Sequence, residues 1–156
     1  MSTKPTNPKD RVGVTKLPID LVPDSAVAFG ALGFTEGDCK YGGFNWALAG
    51  VRWSIYDAAL ERHRMKFKAG EWADPTTKVP HLASMFACVS ILIDAHVRGM
   101  LVDDRPPANP ALVALIDQMS ENVQHLQHLF KGQQPHRCTI ADAPMGAVDI
   151  KNREGG

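Results

Sequence analysis

"GEWADPTTKVPHLAS", residues 70–84, interrupts two long helical patterns. Gly70, Pro75 and Pro80 stop a helix arriving from the amino-terminal side and prevent the next from starting before His81. Upstream, from about Ala47 to Lys68, the residues Ile55, Tyr56, Ala59, Leu60, His63 and Phe67 recur at steps of three and four and define one inward stripe. Downstream, from His81 to about Arg98, the chain is apolar almost all round, as a central helix of a bundle is. Two such helices joined by a short turn make an antiparallel hairpin.

Working outward, prolines at 5, 8, 18 and 23 make residues 1–23 an extended arm with turns rather than a helix. Asp24 and Ser25 can cap a helix running to about Asp38, with Val27, Ala31 and Phe34 at helical spacing. Gly30 and Gly33 within it imply close packing. "CKYGGFNW" (39–46) reads as a tight connection. "GMLVDDRPPANP" (99–110) is the clearest linker, with Asp103 and Asp104 expected to be solvated. Beyond it Leu112, Ile116, Met119, Val123, Leu126 and Phe130 form a short a/d seam suited to the chain's own bundle or to a dimer mate. Past Gly132 the sequence is polar and proline-interrupted, a flexible tail. The expectation is an all-α bundle of about four helices: a main domain over 1–106, an accessory helix over 107–132 and a tail over 133–156.

A chain of 156 residues suits one compact core. Lys+Arg and Asp+Glu both number 17, so no net field draws the protein to nucleic acid, and any anion site must be local. No run approaches the ~20 apolar residues of a membrane span, and "MSTKPTNPKDRVG" lacks the apolar core of a secretory signal, so a cytoplasmic protein is expected. Cys39, Cys88 and Cys138 are odd in number and widely spaced, which predicts reduced thiols.

The hairpin turn concentrates the chemistry. Glu71 and Asp74 stand three positions apart, and two such carboxylates can hold a hard divalent cation, although for the pair alone helix capping and solvation are the commoner explanation. His63 lies on an apolar face near a helix end, and His81 starts the next helix, where the dipole favours a neutral imidazole. The hairpin would gather His63, Glu71, Asp74 and His81 at one end. Arg62 and Arg64, with Lys66 and Lys68 further along, could supply cations to a phosphate chain, although a solvated basic helix face accounts for Arg64, Lys66 and Lys68 as well. Asp94, an acid within "VSILIDAHV", must face outward or be paired, and a metal site is one way to satisfy it. G-x-x-x-x-G-K-[ST], G-x-G-x-x-G, G-x-S-x-G, H-E-x-x-H and a His-Asp dipeptide are all absent from the sequence, which argues against the enzyme classes built on them.

Five stretches in order, "NPKD" (7–10) with Gly13 and Lys16, "KYGGFNW" (40–46), "RH" (62–63), "GEWADPTTKVPHL" (70–82) and "DDRP" (103–106), resemble a largely phage-borne family of dATP/dGTP diphosphohydrolase domains, related to MazG-like all-α pyrophosphatases. Ser84 departs from the family's H-L-x-H pattern. The resemblance implies hydrolysis of a purine deoxynucleoside triphosphate to the monophosphate and pyrophosphate, aided by Mg²⁺ or Mn²⁺. It implies Glu71, Asp74 and Asp94 as metal ligands, and Glu71, His63 and His81 as catalytic groups. Lys9, Lys16 and Arg62 would contact phosphate, and Asn45 with Trp46 or Tyr41 would hold the base. A homo-oligomer is implied too. The competing expectation is a protein of the same fold without turnover, either a nucleotide binder, for which Ser84 is the supporting feature, or an interaction protein, whose functional surface would be the Leu112 to Phe130 seam.

Overall fold

The computed structural model describes residues 7–142. Six α-helices are present among them: α1 (Pro8–Gly13), α2 (Asp24–Tyr41), α3 (Asn45–Ala49), α4 (Trp53–Lys68), α5 (His81–Val97) and α6 (Pro110–Leu129). Two strands of two residues each, β1 (Val51–Arg52) and β2 (Leu101–Val102), pair in parallel. The fold is all-α, as expected. Residues 1–6 and 143–156, and with them most of the expected tail and the start of the arm, lie outside the described residues.

The centre of the body is α5, packed against α4 on one side and α2 on the other. Small residues make this possible. A side chain at Gly30 would collide with the ring of Phe86, and one at Gly33 would come 2.4 Å from the Ala83 carbonyl oxygen, so the two glycines let α2 lie directly on α5. Ala83, Ala87 and Ala95 on α5 are buried in return. Pro80 is in extended backbone and ends the turn, so α5 begins at His81 as expected.

Two local expectations require correction. The segment expected to avoid helix contains α1, because Pro8 stands in the first turn, where its missing N–H costs nothing, and the Asn7 side chain accepts from the Lys9 N–H. The helix expected from about Ala47 to Lys68 is broken at Gly50. There the backbone adopts φ +72°, and a Cβ would sit 2.8 Å from the Met100 carbonyl oxygen. That close approach lets the Val51 N–H donate to the Met100 carbonyl and β1 join β2. Asp104 is exposed, as expected, and in addition caps α4: its carboxylate accepts from the Ser54 backbone N–H at 2.8 Å and from the Ser54 hydroxyl at 2.6 Å.

α6 stands apart from this body. None of its residues is buried, and its seam residues Leu112, Ile116, Met119, Val123 and Leu126 are each about half exposed in the single chain.

Candidate functional site

The α4–α5 hairpin delivers His63 from the last two turns of α4 and His81 from the first position of α5. Between them the turn is tied down by its own backbone. The His81 N–H donates to the Trp72 carbonyl at 3.0 Å, and the Asp74 N–H donates to the Val79 carbonyl at 3.0 Å. Asp74 Oδ1 accepts from the Thr76 and Thr77 backbone N–H groups, which hold its carboxyl below the usual carboxylate range. The turn's "D-P-T-T" sequence therefore organises itself around one carboxylate oxygen.

His81 is completely buried, and both of its ring nitrogens have partners. Nε2 lies 2.8 Å from Glu71 Oε1, and Nδ1 lies 2.9 Å from Nδ1 of His63. The carboxylate can only accept, so His81 Nε2 carries the proton. His63 Nδ1 and His81 Nδ1 share one hydrogen; in the tautomer in which His81 Nδ1 accepts it from His63, the nitrogen left bare is Nε2 of His63. Burial, followed by the neighbouring His81, lowers the His63 pKa and keeps that ring neutral. The hydrogen bond from His81 in turn holds the Glu71 carboxyl below its ordinary range. The result is a directed chain, Glu71 to His81 to His63, that ends in a basic nitrogen.

His63 opens on a cleft of about 520 Å³ between α2, α4 and α5. Glu36, Lys40 and Tyr41 of α2 line it, with Asn45 and Trp46 of α3, Tyr56 and Arg62 of α4, and Ser84 and Cys88 of α5. Burial pushes the Cys88 thiol and the Tyr56 phenol up, so both are uncharged at neutral pH. The Lys40 pKa is raised, chiefly by its ion pair with Glu36 one turn earlier. Trp46 packs against Phe34 and Phe44 with ring centroids 5.6 and 5.3 Å away. Phe44 takes a left-handed backbone, φ +58°, to place its ring there.

The structure thus brings together His63, His81, Glu71 and Asp74 at the hairpin turn, and Asn45, Trp46 and Arg62 with His63 around the cleft. It does not bring the other expected residues to them. Lys9 and Lys16 are exposed near the amino terminus and do not line the cleft. Asp94 is on α5 but more than three turns beyond His81, roughly 20 Å along the axis at about 1.5 Å per residue, too far to share an ion with Glu71 and Asp74. Its Oδ2 accepts instead from Trp46 Nε1 at 2.8 Å and Arg98 Nε at 2.7 Å. Among the described residues no three His, Cys, Asp or Glu side chains are grouped as a ready cation shell.

The sequence reasoning missed Glu36 and Lys40, and it offered Lys66 to a phosphate chain rather than to the two acids of the turn. Glu36 and Lys40 are an i,i+4 pair whose spacing was visible, but which face of α2 meets the cleft was not. Lys66 Nζ stands 3.4 Å from Glu71 Oε1 and 3.6 Å from Asp74 Oδ2, bridging the two carboxylates.

A helical cleft that sets Arg62 and Lys40 beside an aromatic wall has the chemistry to take a phosphorylated aromatic ligand, as a nucleotide-handling protein does. The family model described as dATP/dGTP diphosphohydrolase, N-terminal, matches residues 6–105, and the chain belongs to that family. The match spans α1 to β2 and so includes the hairpin and the cleft. No curated protein and no solved structure matches the chain. No helix among the described residues is long and apolar enough to cross a membrane.

Proposed function

We propose that the cleft hydrolyses purine deoxynucleoside triphosphates to the monophosphate and pyrophosphate, with His63 as the general base. The observation that carries this is the Glu71–His81–His63 chain, which leaves a neutral, proton-accepting nitrogen on a residue that lines the cleft. Water adds to the α-phosphorus, the bond from that phosphorus to the α,β-bridging oxygen breaks, and pyrophosphate leaves. His63 Nε2 takes the proton of the attacking water. Glu71 and His81 hold the His63 tautomer and ring orientation, as an acid behind a catalytic histidine does. Arg62 and Lys40 face the triphosphate, and Asn45 and Trp46 face the base.

The family's name supports the purine deoxynucleotide substrate. For Mg²⁺ or Mn²⁺, the residues that would hold the ion are Glu71 and Asp74. Their carboxylates already flank a cation, the Lys66 ammonium, and Mg²⁺ commonly takes one or two carboxylates and completes its shell with water and substrate phosphate. When bound, such an ion supplies charge neutralisation to the triphosphate. The exposed α6 seam favours a homo-oligomer, since a half-exposed apolar stripe of this length is commonly covered by another surface.

A second reading has one observation in its favour. Ser84, where the family pattern places a histidine, is buried and lines the cleft, as it would in a homologue that binds nucleotide without turning it over. Incubation with each canonical deoxynucleoside triphosphate and Mg²⁺ or Mn²⁺ separates the two. Release of pyrophosphate with the purine monophosphate is the expected result. Tight binding with no pyrophosphate would establish the second reading.

A further inference from the structure

Trp46 and Phe34 line a second cavity as well, of about 560 Å³. The indole is thus shared between two cavities. An aromatic ring so placed needs something to fix it. Stacking against Phe34 and Phe44 restrains its tilt, but both contacts are apolar and one partner, Phe44, is itself largely exposed. The directional restraint is the hydrogen bond from Trp46 Nε1 to Asp94 Oδ2. Asp94 is prepared for this. The indole N–H first, and then the Arg98 guanidinium, hold its carboxyl below the usual range, so it is a charged acceptor at neutral pH.

We propose that Asp94 is a positioning residue for purine binding: through Trp46 it fixes the wall against which the base of the substrate rests. The role rests on the proposed function above, in which Trp46 faces the base. It accounts for an acid within an apolar helix without a metal. It also explains how Asp94, which lines the second cavity at the other end of α5 from the Glu71–His81–His63 chain, bears on the cleft through Trp46. Arg98 keeps Asp94 in its rotamer by an i,i+4 contact.

The test is calorimetric binding, in Mg²⁺, of a purine deoxynucleoside triphosphate whose α,β-bridging oxygen is replaced by an NH group that resists cleavage. Wild type, Asp94→Ala, Asp94→Asn, Trp46→Phe and the Trp46→Phe/Asp94→Ala double variant are compared. Asp94→Ala should weaken binding about five- to tenfold, the worth of one hydrogen bond that orders a ring. Asp94→Asn keeps an acceptor oxygen and should bind within about twofold of wild type. Trp46→Phe keeps a ring but removes the donor, so Asp94→Ala added to it should cost nothing further. Wild-type affinity in Asp94→Ala would overturn the inference, as would losses that multiply in the double variant. Should Asp94→Ala not fold, a tenfold loss in the well-folded Asp94→Asn would overturn it equally, because that variant retains the acceptor. Absence of any binding by wild type would instead remove the proposed function, and this inference with it.

Discussion

The two ends of α5 do different work by different physics. At its start, His81 is sealed from water and joined through both ring nitrogens to Glu71 and His63. Toward its other end, Asp94 is partly exposed and holds a ring rather than a proton. Burial makes the first arrangement costly to disturb, because a deleted partner leaves a buried polar atom unsatisfied. The second is open to water and tolerates conservative change. In the proposed reading one helix thus supports a reacting residue, His63, through His81 at one end and a base-binding residue, Trp46, through Asp94 at the other.

The largest expected effect comes from breaking the buried end. Glu71→Ala removes the acceptor that sets the His81 proton and should lower kcat by about 10- to 100-fold, the usual cost of losing an outer orienting partner. Unchanged kcat in steady-state assays would mean that the chain of three does not set the His63 tautomer. Next, Gly33→Ala wedges a methyl against the Ala83 carbonyl, at the same end of α5, and should destabilise the fold by about 1–3 kcal/mol in urea unfolding. A variant as stable as wild type would show that α2 does not press on α5 there. Asp104→Ala acts nearer the other end, where β2 leads away from α5. It should lower the urea midpoint slightly, as loss of a helix cap does, while leaving the His81 end and the rate of pyrophosphate release alone.

The smallest effect is a displacement along the pH axis. Because burial lowers the His63 pKa, the base is neutral at pH 7, and activity should fall only as the pH drops through a value below the ordinary 6.5. The same sign holds for stability. The folded state disfavours the proton that the unfolded state accepts, so the contribution of His63 is present above about 6.5 and is lost as the pH falls. An acid limb at or above 6.5 in kcat would contradict that placement.

Much of the buried end was legible in the sequence. Gly70, Pro75 and Pro80 could only be a turn, and a turn between two apolar helices must bring His63, Glu71, Asp74 and His81 near one another. Gly30 and Gly33 announced a close helix contact. The distribution of roles was less legible, since Asp74 spends an oxygen on its own loop and Lys66 reaches back to meet both acids. At the other end the determinants are distant in sequence. Gly50 breaks a helical pattern because of the Met100 carbonyl, and Ser54 is capped from a position 50 residues away. Asp94 looked like a ligand in search of a metal because its partner, Trp46, is 48 residues upstream. Local periodicity carries no information about such pairings.

The central claim is that His63 is the reacting base of a deoxynucleoside triphosphate diphosphohydrolase cleft. It is tested most directly by pyrophosphate release from a purine deoxynucleoside triphosphate, comparing wild type, His63→Ala and, as a matched control, His96→Ala on the exposed last turn of α5. The account predicts a loss of about 10²- to 10⁴-fold in kcat for His63→Ala, the contribution of a positioned general base, and wild-type turnover for His96→Ala. Pyrophosphate release by His63→Ala at the wild-type rate would contradict it.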